Sequence, residues 1–166
     1  MTIEKLFGKN TDIEKPRTVR FKQIKAVYET LTIKEEISKY FQPAKRYTSP
    51  QQLFETFRFS QNETKEYFLS LHLDGKNRIV AVEIVSVGSL NQSIVHPREV
   101  FKTALLSSAA AIILLHNHPS GDPSPSREDL EITRRLKEVG ELVGIRVLDH
   151  CIIGETYVSF VERGLL

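Results

Sequence analysis

The side chains of this chain that could do chemistry concentrate in residues 116–129: His116, Asn117, His118 and Pro119, followed by Ser126 and Asp129. In an extended segment, residues i and i+2 point to the same side, so His116 and His118 can aim two imidazoles at one point. Ten residues separate His118 from Asp129. They can loop back, so that Asp129, in the first turn of a following helix, offers a carboxylate to the same point. Two His and one carboxylate form a catalytic zinc set that leaves the fourth position to water. Zinc lowers the pKa of such a water to about 7 and so makes a nucleophile at neutral pH. Each piece also has an ordinary reading. A His at a strand end is commonly a surface or internally satisfied residue. Ser126-Arg127-Glu128-Asp129 fits a helix capping box loosely, with Asp in place of the usual Glu or Gln. Residues 119–125, rich in Gly and Pro, make a rigid loop. What favours a site is that all of these meet within fourteen residues, where a buried strand opens into a loop.

The strand in question is the run Ala111-Ile112-Ile113-Leu114-Leu115, read as buried and central. The other elements follow from pattern. Ser49-Pro50 starts a helix with Leu53, Phe54 and Phe57 on one face. Residues 67–73 alternate, with Tyr67, Leu69, Leu71 and Leu73 on one side and Phe68, Ser70 and His72 on the other. Asp74-Gly75-Lys76-Asn77 is a hairpin turn, and residues 79–87 return as a β-branched strand. Pro97 opens a second helix with Val100, Phe101, Ala104 and Leu105 facing inward. Residues 126–143 form a third helix with a stripe of Ile132, Leu136, Val139 and Val143, and Gly144 ends it. Residues 145–153 and 157–161 are two last strands around a turn at Gly154-Glu155. Upstream, residues 1–17 are polar, 19–31 fit strand or helix, 33–41 are weakly helical and 42–49 form a linker. Helices and strands that alternate imperfectly, with a hairpin inside, imply a mixed α/β sandwich rather than a doubly wound parallel sheet.

At 166 residues, with 40% hydrophobic and 27% charged side chains, the chain has ordinary globular composition. It can build a core without disulfides, and its single Cys151 excludes a disulfide framework. The longest apolar run is too short to span a membrane, and residues 1–10 lack an apolar signal core. A soluble, cytoplasmic protein with no membrane partner is the expectation. The net charge is +2, but residues 1–50 carry 11 basic and 6 acidic side chains. That excess leaves room for accessory nucleic-acid binding, although a solvated arm is the simpler reading.

His-x-His, seven residues, Ser, two residues, Asp is the JAMM (MPN+) metalloprotease motif, and His116, His118, Ser126 and Asp129 match it without a gap. The surrounding text resembles bacterial RadC proteins of that family: His96-Pro97-Arg98-Glu99-Val100, His116 through Gly121, Val147-Leu148-Asp149-His150, and Ser159-Phe160 with Glu162-Arg163-Gly164. The resemblance covers residues 49–166. Residues 1–48 are an N-terminal extension in which no helix-hairpin-helix is evident. The resemblance implies a three-layer α/β fold, a mixed sheet sandwiched by helices in the MPN/JAB, cytidine-deaminase-like manner. It implies that His116, His118 and Asp129 hold Zn²⁺, that Ser126 donates a hydrogen bond to the developing oxyanion, and that a Glu near the start of the first core strand is the general base. Glu66 matches that position, with Glu83 its competitor and Glu63 a weaker third. The implied reaction is zinc-dependent hydrolysis of an amide bond in a peptide or protein substrate.

Two other functions compete. RadC proteins carry a DNA-repair name, which suggests a factor in DNA metabolism. The contiguous His116-Asn117-His118 is not evidence for an HNH nuclease, whose three residues are dispersed. A non-catalytic binding module is the third reading, disfavoured because every ligand position is filled. Of the remaining residues, Asp149-His150 reads as a packed polar pair before a partner to a metal ligand. Cys151 and His150 face opposite sides of a strand, so they form no dyad. His72 and His96 read as surface residues, Asn117 as structural, and Arg98-Glu99 as a helical charge pattern or a family-specific contact. Residues 86–93 and 120–124 are the loops expected to set specificity.

Overall fold

A computed structural model describes residues 46–88 and 95–166. The expectations for residues 1–45 and for loop positions 89–93 lie outside the described residues. The first helix, α1 (Pro50–Phe57), starts as the sequence predicts. The Ser49 side chain accepts from the Gln52 N–H and Pro50 fills the first turn, while Leu53 and Phe57 are buried. A short 3₁₀ turn (Arg58–Asn62) leads to β1 (Glu66–Leu73), which is followed by β2 (Ile79–Gly88). The hairpin between them is held by Asp74, whose Oδ1 accepts from the N–H groups of Lys76 and Arg78 at 2.8 and 3.0 Å. Asn77 takes the positive φ of 58° that closes this turn, a conformation Asn tolerates better than most residues. Then come α2 (Pro97–Leu106), β3 (Ala111–Asn117), α3 (Arg127–Val143), β4 (Arg146–Ile153) and β5 (Tyr157–Ser159).

The five strands form one mixed sheet in the order β2-β1-β3-β4-β5. β3 and β4 are parallel and every other pair is antiparallel. A parallel pair needs a long crossover, and α3 supplies it. The sheet is covered on both faces, which explains why every residue of β3 is buried and why its sequence is a continuous apolar run. On one face, α1 contributes Leu53 and Phe57 to a core with Leu69, Leu71, Leu73, Ile113, Leu115, Cys151 and Ile153. On the other, α2 and α3 bring Val100, Phe101, Ala104 and Leu136 against Phe68, Ile112 and Leu114. The fold is thus the three-layer mixed α/β sandwich that the sequence implies.

Several sequence expectations are corrected. Leu105 does not face inward on α2 but is 56% exposed. On α3 the deepest line is Asp129, Thr133, Leu136 and Gly140, while Val143 lies at the surface. A search for apolar periodicity skips this line because its first two members are polar. Ser126 is the N-cap of α3 rather than its first residue, and Gly144 ends the helix with a φ of 76°. β5 stops at Ser159 because the buried Asp149 captures the chain beyond it: its oxygens accept from Ser159 Oγ at 2.7 Å and Val161 N at 3.1 Å. Arg98 and Glu99 form an exposed charge pattern on α2, at 3.4 Å.

His72 is not a surface residue. It is 1% exposed, and its Nδ1 lies 2.8 Å from Oγ of Ser107, the C-cap of α2. Burial lowers its pKa from 6.5 to about 4, so the folded protein excludes a proton that the unfolded chain accepts. Its contribution to stability is full above pH 6.5 and is lost as the pH falls toward 4, by up to about 1.4 kcal/mol per pH unit. In urea titrations at pH 7 and pH 5, the wild type should therefore lose more stability than H72Q. Equal losses would place the proton uptake elsewhere.

Candidate metal centre

β3 delivers the site. Phe68 on β1 stands opposite His116 on β3, and the antiparallel direction carries β1 back toward Glu66 as β3 runs on toward His118. His116 is fully buried, whereas His118 and Glu66 keep side-chain exposures of 13% and 10%. The site therefore has a closed floor and a narrow mouth. α3 brings Asp129 over the same point from its first turn, buried to 1%.

Four side chains converge. His116 Nε2 stands 3.0 Å from His118 Nε2 and 3.2 Å from Asp129 Oδ1, and His118 Nε2 is 3.6 Å from Asp129 Oδ2. Glu66 Oε1 is 3.7 Å from His116 Nε2 and 3.8 Å from His118 Nε2. The ligand atoms of Glu66, His116 and His118 all lie within 4.8 Å of one another, so either carboxylate could complete a triad with the two histidines. Ligands about 2.0–2.2 Å from a tetrahedral zinc are separated by roughly 3.3–3.5 Å. The contacts of His116 Nε2 with His118 Nε2 and with Asp129 Oδ1 lie just short of that span, and those of Glu66 lie just beyond it.

Local structure explains how each group is aimed. Asp129 is the N3 residue of a complete capping box: its N–H bonds to Ser126 Oγ, and its Oδ2 accepts from Ser126 N at 2.7 Å and Ser126 Oγ at 2.6 Å. All of that engages Oδ2. The other oxygen, Oδ1, is buried with no hydrogen-bond partner among the described residues and faces His116. A buried carboxylate oxygen without a donor is costly, and a cation would relieve it. This fits a metal ion: two carboxylates and two imidazoles match a divalent cation in charge and in donor type. The His118 ring is oriented by its Nδ1, 2.7 Å from the carbonyl of Asp122. That carbonyl belongs to a loop clamped from below. A Cβ at Gly154 would lie 2.2 Å from the Gly121 carbonyl, which in turn accepts from Glu155 N at 2.7 Å.

The electrostatics agree. Burial works against charge on His118, but Asp129, the Asp122 carbonyl and Glu66 outweigh it and raise its pKa. Burial also works to raise the Asp129 carboxyl, yet His118, His116 and Ser126 hold it well below the ordinary carboxylate range. His116 is held well below 6.5, by burial first and then by its neighbour His150. The site thus favours positive charge at its mouth and a neutral imidazole on its floor.

The register places Glu83 opposite Ser70, four residues along β1 from Glu66, or about 13 Å at the usual rise per residue. Glu63 is exposed ahead of the strand. Of the three glutamates weighed from sequence, only Glu66 enters the site. Asn117 points away from the converging side chains, as expected, but its role is specific. Its Oδ1 accepts from Tyr67 N at 2.8 Å and its Nδ2 donates to the Lys65 carbonyl at 3.0 Å. The side chain continues the β1–β3 ladder past its last backbone rung and grips the chain on both sides of Glu66. His150, read from sequence as a packed polar residue before a partner to a ligand, contacts His116: its Nε2 lies 2.8 Å from His116 Nδ1. Its neighbour Asp149 faces the other side of the sheet with Cys151, and Cys151 is buried. Sequence reasoning passed over Thr133. The available signal was its spacing, one helical turn after Asp129.

A family model described as "RadC-like JAB domain" matches residues 47–165. A UPF0758 protein from Geotalea uraniireducens is 62% identical over 128 residues, which is 76% of this chain and 56% of that protein. One from Pelobacter propionicus is 65% identical over 123 residues, covering 73% and 54%. One from Methanosarcina mazei is 49% identical over 146 residues, covering 87% and 63%. The chain spans roughly half to two thirds of the length of these curated relatives. No helix among the described residues is long and apolar enough to cross a membrane.

Asn117 offers a direct test of how Glu66 is held. N117A leaves a backbone N–H and a carbonyl without their partners, which should destabilise the fold by roughly 2–3 kcal/mol. N117D keeps the acceptor for Tyr67 but turns a carboxylate oxygen toward the Lys65 carbonyl at a fully buried position, so it should cost at least as much as N117A. Denaturant titration of the three proteins checks the order. A neutral N117A would mean that Glu66 is positioned without this grip.

Proposed function

The chain belongs to the RadC-like JAB domain family, and from that premise we propose that it is a zinc-dependent hydrolase of amide bonds in a peptide or protein substrate. The observation that carries this reading is the approach of His116 Nε2 to within 3.0 Å of His118 Nε2 and 3.2 Å of Asp129 Oδ1, with Glu66 alongside. His116, His118 and Asp129 would hold the ion. Bound there, zinc would supply Lewis acidity to the attacking water and the scissile carbonyl.

The chain's own groups do the rest. Glu66, a little farther out and partly open to solvent, takes a proton from the attacking water on a carboxylate oxygen and returns it to the leaving amine. Ser126 donates its hydroxyl hydrogen to the oxyanion. In the resting arrangement the hydroxyl donates that hydrogen to Asp129 Oδ2. Because Oδ2 also holds the Ser126 N–H, the hydroxyl can turn away without leaving that oxygen bare. The closed floor, with His116 under Phe68 at a ring separation of 5.8 Å, keeps water from approaching the ligands from behind.

A binding-only module would not need four converging groups with one carboxylate oxygen left bare. Accessory binding of nucleic acid would draw on the basic 1–48 extension, most of which lies outside the described residues.

Elemental mass spectrometry of the purified protein should find about one zinc per chain, lost in H118A and in D129A with the fold largely retained. E66Q should keep the zinc and cleave a peptide library at least about 100-fold more slowly than wild type. Stoichiometric zinc in both ligand variants, or none in the wild type after reconstitution, would overturn the metal site. Loss of zinc in E66Q would make Glu66 the third ligand instead of the base.

A further inference from the structure

We propose that His150 and Thr133 are positioning residues whose hydrogen bonds force the bare Nε2 of His116 into the metal site. The inference rests on the metal-site reading above but is argued from hydrogen-bond direction alone. Thr133 Oγ1 lies 2.5 Å from the main-chain carbonyl of Asp129. A carbonyl only accepts, so the single hydroxyl hydrogen of Thr133 is committed there. Toward His150 Nδ1, 2.6 Å away, Thr133 can therefore only accept, and His150 must carry its hydrogen on Nδ1.

His150 is fully buried, its ring nitrogens meet His116 and Thr133 rather than any carboxylate among the described residues, and a neutral imidazole has one N–H. Its Nε2 is then an acceptor. The partner at 2.8 Å is His116 Nδ1, which must donate. The one ring hydrogen of His116 is thereby used, and its Nε2 faces the site as a lone pair. In its neutral form His118 reaches the same result by a shorter route, because its Nδ1 must donate to the Asp122 carbonyl. Two bare Nε2 atoms then face each other at 3.0 Å beside two carboxylates, an arrangement that calls for a cation.

The path also joins two ligands. It runs from the ring of His116 through His150 and Thr133 to the backbone of Asp129, so one helical turn of α3 orients the histidine on β3. Ring packing fixes the planes: His150 stacks on Phe160 at 4.8 Å, and Phe68 meets His150 edge-on at 5.4 Å. Reversing every hydrogen would place an N–H on His116 Nε2, where the ion must sit. Thr133 excludes that state by giving its hydrogen to Asp129.

The test reads tautomers in the metal-free full chain by long-range ¹H–¹⁵N NMR of the imidazoles, and zinc affinity by chelator competition. In the wild type, His116 and His150 should both be Nδ1–H tautomers. T133V, which matches Thr in shape but can neither accept nor donate, should lose that assignment and bind zinc about 10–100-fold more weakly. T133S should restore both. An Nε2–H tautomer at His116 in the wild type, or zinc affinity in T133V equal to wild type, would overturn the proposal. If the wild type bound no zinc, the metal-site reading would fail, and the tautomers in the metal-free protein would still decide this one.

Discussion

The site depends on one register. Phe68 on β1 faces His116 on β3, and Glu66, His118 and the grip of Asn117 follow from that pairing. Side chains alternate along a strand, so a slip of one residue would send His116 to the α1 face and bring Asn117 into the site. The pairing is protected by burial. Residues of β3 contribute to cores on both faces, so a slip would misplace each of them at once. Chemistry is specified here by the same constraint that specifies the sheet.

A second economy lies at the start of α3. The capping box that begins the helix uses one oxygen of Asp129 and leaves the other facing His116. Helix initiation and metal binding are therefore not competing readings of Ser126 and Asp129, since a carboxylate has two oxygens. The next turn of the same helix repeats the pattern. Thr133 bonds back to the Asp129 carbonyl, as Thr often does within helices, and its oxygen then serves His150. Local helix chemistry thus orients groups on two different strands.

Much of this was legible in the chain itself. The hairpin at residues 74–77 and the helix start at Ser49-Pro50 follow from turn and capping chemistry that acts over a few residues, and the structure keeps both. The i, i+2 spacing of His116 and His118 places them on one side of any extended strand, and there they are. Leu105, Val143 and His72 were misread for a common reason. Periodicity assigns residues to a face, but only packing decides how much of that face a neighbouring helix covers. His72 is buried with Ser107, the C-cap of α2, offering its ring a partner, which no local pattern announces. For the glutamates the family resemblance already preferred Glu66 to Glu83, and the register of β1 and β2 then placed Glu83 opposite Ser70, four residues along β1 from Glu66.

By itself the sequence determined the elements, the central strand and the candidate ligands, because those rest on spacing within short segments. Tertiary structure alone decided that Asn117 holds the backbone around Glu66, and that His150 and Thr133 tie His116 to Asp129. These are contacts between residues 17 to 52 positions apart. Their geometry exists only once β1, β3, β4 and α3 share a core. The physical reason is range: capping and alternation act within a turn or a pleat, whereas a hydrogen bond between strands needs the fold to bring its ends together.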